Sequence, residues 1–217
     1  KNIKDFFGKP LIAYSIEAAL RSELFERVIV STDDDEIAEI SENYGAEVPF
    51  ARPKQLSDDY VSLEYVVNHA FEYFKNLGEE YEYVCTIYAT APFVQKKYIC
   101  LGYEALKSSD AINSFSCTSM PFPIQRAFKI DKKGRCEMFT PEHYQTRSQD
   151  LDEAYHDAGQ FYWTNKLRQV QNGNNKIFSE NSVPIIIPRS LVQDIDTPED
   201  WIQAELLFET LKKRKKY

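Results

Sequence analysis

The sequence predicts an α/β fold: a three-layer α/β/α sandwich around a mostly parallel sheet, with a hairpin-containing excursion in the middle. Three observations carry that expectation. Strand and helix patterns alternate through most of the 217 residues. The run Tyr83-Val84-Cys85-Thr86-Ile87-Tyr88 is apolar without alternation, as in a central strand covered on both faces. Residues 120–157 break the pattern, with few helical periods and a clear hairpin signal. The length fits one α/β domain with a small appended piece, so residues 1–217 are read as one unit.

Each element has a local reason. Pro10 suits a first helical turn, and Leu11, Tyr14 and Ala18 share a side, which predicts a helix over 10–22. Residues 27–31 (R-V-I-V-S) read as a short buried strand. Asp33, with Glu36 three residues on, is expected to cap a helix carrying Ile37, Ile40 and Tyr44, stopped by Gly45. Residues 47–50 form the next strand, and this strand–helix–strand unit implies parallel pairing with a right-handed crossover. Val66, Val67, Ala70, Phe71 and Phe74 give an apolar face to a helix over 62–76. A strand at 83–88, a loop at 89–93, a helix at 96–107 and a strand at 111–117 follow. Residues 127–130, 131–134 and 135–139 form the hairpin. Strand signals return at 159–164 and 183–188, and a last helix runs from 198 to 214, with the basic run 212–216 as its solvated end.

Composition excludes several classes. The net charge of −8 argues against a nucleic-acid surface. No run is long and apolar enough for a membrane span, and there is no signal peptide. Cys85, Cys100, Cys117 and Cys136 make no C-x-x-C motif and read as reduced thiols of a cytoplasmic protein. The seven glycines form neither a G-x-G-x-x-G fingerprint nor a P-loop, which disfavours a dinucleotide-dependent oxidoreductase. A phosphate site within the chain must therefore rest on other donors and a metal.

The sharpest chemical hint is V-Q-D-I-D-T-P-E-D-W at 192–201. If the strand at 183–188 continues, Asp194 and Asp196 point to one side at a sheet end, where two hard oxygens suit Mg²⁺. Acidic residues at a strand-to-helix turn are also often caps, and Thr197-Pro198 with Asp200 reads as a capping box. On spacing alone both readings stand.

Six segments decide between them. These are K-N-I-K-D-F-F-G-K-P-L-I-A-Y-S-I (1–16), V-I-V-S-T-D-D-D-E-I-A (28–38), Y-G-A-E-V-P-F-A-R-P (44–53), T-A-P (90–92), R-S-Q-D-L (147–151) and D-I-D-T-P-E-D (194–200). In this order they resemble the CMP-sialic acid synthetase family, the acylneuraminate cytidylyltransferases, along nearly the whole chain. F-P-I-Q-R-A-F (122–128) and A-Y-H-D-A-G-Q-F-Y-W (154–163) resemble the branch that uses pseudaminic acid. Sialic-acid enzymes carry Asn-Gly where this chain has Ala158-Gly159, and a glutamine within the loop that here reads Tyr88 to Pro92.

The resemblance implies a Rossmann-like nucleotide-diphospho-sugar transferase fold and a reaction: CTP and a nonulosonic acid give a CMP-sugar and pyrophosphate, for surface glycan or flagellin glycosylation. It implies Mg²⁺ on Asp194 and Asp196, with Asp196 reaching the attacking hydroxyl. Lys1, Asn2, Arg52, Ser62 and Thr90 match nucleotide-contacting positions. Arg147 is the expected partner of the sugar carboxylate, joined by Gln125 and Arg126, and His156, Asp157, Gln160 and Tyr162 are expected to line the sugar pocket. The excursion at 120–157 is expected to form a homodimer and reach the neighbour's site. His69 and His143 receive no role. Family members begin with A-R-G-G-S-K-x-x-P-x-K-N, of which only Lys1-Asn2 stands here, so the first central strand and phosphate loop are expected to be missing. The alternatives are a sialic or legionaminic acid synthetase, or an inactive nucleotide-binding or assembly protein.

Overall fold

A computed structural model describes residues 1–58, 60–173 and 176–214. A two-stranded ribbon, β1 (Asp5–Phe6) and β2 (Lys9–Pro10), leads into α1 (Leu11–Ser22). Then come α2 (Asp35–Asn43), α3 (Leu63–Asn76), β3 (Tyr83–Ile87), α4 (Lys96–Lys107) and β4 (Asn113–Ser119). The excursion holds the antiparallel hairpin β5 (Phe128–Ile130) and β6 (Cys136–Met138). β7 (Tyr155–Asn165), α5 (Lys166–Asn172), β8 (Ser182–Ile186) and α6 (Pro198–Lys213) close the chain.

The main sheet has the order β3-β7-β4-β8. β7 runs antiparallel to both β3 and β4, while β8 runs parallel to β4. Three of the four strands therefore share a direction, as the α/β pattern implies, and β7 is the reversed one between them. The strand at 83–88, expected to be central, lies at one end of this order among the described residues. Its continuous apolar run reflects packing of Tyr83, Cys85 and Ile87 against the main core. Val84 and Thr86 on the opposite face are partly buried too, so the run reports covered faces and not the number of hydrogen-bonded neighbours.

The expected strands at 27–31 and 47–50 appear as isolated parallel bridges, Ile29 to Glu47 and Thr32 to Ala51. The Val30 amide donates to the Glu47 carbonyl at 2.8 Å, and the Glu47 amide to Val28 at 2.8 Å. The next donor in a parallel ladder would come from position 49, which is Pro49 and has no N–H. The crossover helix is capped one residue later than expected. Asp34, not Asp33, accepts from the Ile37 amide at 2.9 Å, and Asp33 instead faces Arg52 at 3.4 Å.

α4 packs across β4, β7 and β8, and α1 lies against α4. At the centre of that contact Trp163 is buried, stacks on Phe25 at 5.2 Å, and donates from Nε1 to the Ile99 carbonyl at 3.0 Å. α6 buries Trp201, Ala204, Phe208 and Leu211. Phe208 meets Phe6 and Tyr14 edge-on at 5.1 and 5.4 Å, which ties the N-terminal ribbon to the C-terminal helix. The basic run at 212–216 is only partly within the described residues. Lys212 there lies over the Phe208 and Phe7 rings rather than purely in solvent.

Candidate active site

β8 does not continue to the aspartates, contrary to the sequence expectation. It ends at Ile186, and Pro188 and a 3₁₀ turn at Arg189–Leu191 follow. The segment after the turn is extended again at Val192 and Thr197. Ile195 is 1% exposed, while Asp194 and Asp196 on either side of it are exposed. Ile195 is thus turned inward between two exposed aspartates.

The cap reading is settled by the hydrogen bonds. The Thr197 hydroxyl accepts from the Asp200 amide at 3.2 Å, and Asp200 Oδ2 accepts from the Thr197 amide at 2.8 Å. The same oxygen accepts from the Asp196 amide at 3.2 Å. Hydrogen bonds from Thr197, then from the Asp196 amide, hold the Asp200 carboxyl below the usual aspartate value. Capping is therefore done by Thr197 and Asp200, and the side chains of Asp194 and Asp196 take no part in it.

A cation already stands beside the pair. Lys1 donates from Nζ to the Ile195 carbonyl and lies 3.4 Å from Asp196 Oδ1. Its backbone neighbourhood is pinned to α1: the Asn2 carbonyl accepts from Ile12 at 2.8 Å and the Lys4 carbonyl from Leu11 at 3.0 Å. Lys4 Nζ lies 3.8 Å from the Trp201 ring centroid, a second tie between the chain's two ends. Asp194 Oδ1 accepts from the Ile195 amide at 2.9 Å, and the Asp196 side chain is 75% exposed. Hard, accessible oxygens that already attract an ammonium fit Mg²⁺. Among the described residues no group of three or more His, Cys, Asp or Glu side chains is placed to hold a metal. Two carboxylates are what Mg²⁺ takes when substrate phosphates complete its shell.

The other expected nucleotide residues are more dispersed. Arg52 bonds Ser57 Oγ at 3.1 Å and faces Asp33. Ser62 occupies the N-cap of α3 without a side-chain cap bond. Thr90 is half-buried in the loop after β3.

The expected sugar residues divide into two groups. On β7, Asp157 accepts from the Gly159 amide at 2.9 Å and from the Tyr162 hydroxyl. Burial first, and then the Asp157 carboxylate, push the Tyr162 hydroxyl far above the ordinary tyrosine range, so it remains a donor. His156 is exposed, with Nδ1 2.8 Å from the Asp157 carbonyl. Gln160 departs from expectation: it is 3% exposed and turned inward. In the excursion, Gln125 donates to the Asp152 carbonyl at 3.2 Å and Arg126 to the Thr146 carbonyl. Arg147 holds Asp150 through two bonds of 2.7 and 3.1 Å, so a sugar carboxylate would have to replace Asp150.

Sequence reasoning passed over Tyr88 and Ser116. The Tyr88 ring lies 5.4 Å from that of Tyr162. Ser116 Oγ accepts from both the Gln160 and Phe161 amides at 3.2 Å. The pairing of β3 with β7 brings Tyr88 there, and the register of β4 on β7 brings Ser116.

The mixed sheet thus lies beside two exposed aspartates and a lysine. A solved CMP:2-keto-3-deoxy-manno-octonic acid synthetase complexed with CTP shares the fold, with a TM-score of 0.67 at 14% identity over 97% of this chain and 92% of that one. The chain belongs to the cytidylyltransferase family, whose model matches residues 1–189, ending just before Asp194. The pseudaminic acid cytidylyltransferase of Campylobacter jejuni serotype O:2 is 44% identical over 96% of this chain and 89% of its own length. The CMP-N,N'-diacetyllegionaminic acid synthase of Legionella pneumophila is 31% identical over 96% of this chain and 89% of its own.

Proposed function

We propose that this cytidylyltransferase joins CTP to pseudaminic acid, a nine-carbon acidic sugar, giving the CMP-sugar and pyrophosphate with Mg²⁺ as cofactor. The observation that carries the substrate is the 44% identity, sustained over 96% of the chain, to an enzyme named for that sugar. The placement of Asp194, Asp196 and Lys1 supports the chemistry. The sugar hydroxyl oxygen bonds to the α-phosphorus as the bond to the pyrophosphate oxygen breaks, and the hydroxyl proton is lost. Two anions must meet for this, so charge is the obstacle. Bound Mg²⁺ supplies phosphate charge neutralisation and in-line geometry, and Asp194 and Asp196 would hold it. Lys1 adds a positive charge at the same place. Asp157 and Tyr162, whose hydroxyl proton is held by the Asp157 carboxylate, present fixed acceptor oxygens on β7, and Arg147 offers a planar fork for the sugar carboxylate.

The homodimer and the cytoplasmic location belong to the same reading. Phe122, Phe128, Ile130, Phe139 and Tyr144 of the excursion are all more than half exposed, an apolar area suited to a second copy. No described helix is long and apolar enough to cross a membrane.

The test is pyrophosphate release from CTP with pseudaminic, sialic and legionaminic acids, with Mg²⁺ and with chelator. Pseudaminic acid should be turned over fastest and only with metal, and Asp196→Asn should lower turnover about 100-fold or more. Preference for another sugar refutes the substrate assignment, and full activity in chelator refutes the metal.

A further inference from the structure

The two halves of the site are joined by one buried side chain. In the pairing of β4 with β7, Phe115 faces Tyr162 and Cys117 faces Asp157. Between those pairs β4 spends only Ser116, whereas β7 spends Ala158, Gly159, Gln160 and Phe161. This is a bulge, a device that re-aims side chains, and it often sits beside active sites. Gly159 takes a left-handed φ of +61° within it, and Asp157 and Ser116 satisfy its amides.

The bulge aims Gln160 at the segment that carries the aspartates. Gln160 Nε2 donates to the Leu191 carbonyl at 2.6 Å. Leu191 ends the turn after β8, three residues before Asp194. Upstream, the Ile187 carbonyl is held by Thr118 Oγ1 at 2.7 Å. Lys1 holds the Ile195 carbonyl farther along this stretch, and among the described residues Gln160 is the sheet side chain that fastens its start. Its other amide atom, Oε1, is buried without a hydrogen-bond partner among the described residues. An unmet buried acceptor is destabilising, so an apolar side chain would serve packing alone at least as well. What the amide adds is the bond to Leu191.

We infer that Gln160 is a positioning residue for the Asp194–Asp196 segment, not a ligand of the sugar. It links the stretch of β7 bearing Asp157 and Tyr162 to the carboxylate pair, and it acts through the Leu191 carbonyl. The inference rests on the nucleotidyl-transfer reading for its meaning, but its first test does not.

Gln160→Met keeps the shape and removes the donor, and Gln160→Glu keeps the shape and sets a carboxylate against the carbonyl. In the metal-free, ligand-free protein, amide hydrogen exchange at 192–197 should quicken about fivefold in Gln160→Met, and more in Gln160→Glu, while exchange in β4 is unchanged. Unchanged exchange at 192–197 in both variants overturns the inference, whatever the enzyme's activity. In the second test, binding of Mn²⁺ in the presence of CTP is followed by water-proton relaxation, and Mg²⁺ dependence of turnover is measured alongside. Both half-saturation values should rise about fivefold in Gln160→Met, with the KM for the sugar within twofold of wild type. A raised sugar KM with unchanged metal half-saturation makes Gln160 a sugar ligand and refutes the positioning role. A lowered melting temperature with neither change makes it purely structural and refutes it equally. Absence of metal dependence in the wild type defeats the nucleotidyl-transfer reading and leaves the exchange result to decide what Gln160 holds in place.

Discussion

Gly102→Ala tests the packing under the site. Gly102 lies where α4 meets the sheet, and its carbonyl accepts from Ser114 Oγ at 2.7 Å. A Cβ there would stand 2.8 Å from Phe161 Cε2, 2.8 Å from Trp163 Cδ1 and 3.2 Å from Ser114 Oγ. Neither ring has room to yield. Phe161 is 0% exposed and Trp163 2%, and Trp163 is held by Phe25 and by the Ile99 carbonyl. Overpacking of this kind costs about 1–3 kcal/mol, and contact with two fixed rings places it near the upper end. Alanine recovers about 1 kcal/mol of helix propensity. The net loss is then about 2 kcal/mol, which lowers Tm by roughly 4–8 °C in a chain of this length. Urea unfolding should show a lower midpoint with an unchanged slope. Adding Phe161→Leu should return part of the loss, because the two sites share one contact. A Tm equal to or above wild type would show that α4 shifts freely on the sheet and would refute the close-packing argument.

Three further outcomes are expected. Ile130→Asp with Phe139→Asp places charge on the exposed apolar face of the hairpin and should shift sedimentation of the proposed dimer to monomer; a wild type that sediments as a monomer refutes the dimer, and a variant that stays dimeric places the interface elsewhere. Tyr162→Phe removes the hydroxyl that holds Asp157 and should raise the sugar KM about tenfold or more while leaving that for CTP within twofold; equal changes in both would refute the division of the site. For Asp200, the folded-state value is depressed, so its contribution is present above the unfolded carboxylate value and is lost as pH falls through the folded one. The stability gap between wild type and Asp200→Asn should be fullest near neutral pH and close in acid. A gap constant from pH 7 to pH 2, followed by circular dichroism, would refute the capping role of the carboxylate.

Features with local causes were legible in the residues. Pro10 and the apolar spacing after it yield α1, and the turn D-K-K-G yields the β5–β6 hairpin. Thr197, Pro198 and Asp200 yield the start of α6 with its capping box. The cap of α2 was misplaced by one position because D-D-D offers three equivalent carboxylates, and only the fold selects Asp34. α5 was passed over: its signals, Asn165 as N-cap and Gly173 as left-handed stop, enclose too few residues for a clear helical period.

By itself, then, the sequence determined the α/β class, most element positions and the presence of two aspartates before a capped helix. It did so because capping, turn chemistry and periodicity are short-range. Tertiary structure alone decided that β7 enters reversed between β3 and β4, since a strand's pattern names its buried faces but not its partners. It alone brought Lys1 to Asp196 across nearly the whole chain. It also turned Gln160 inward toward Leu191, because the side a side chain faces follows the register, and the bulge opposite Ser116 resets that register.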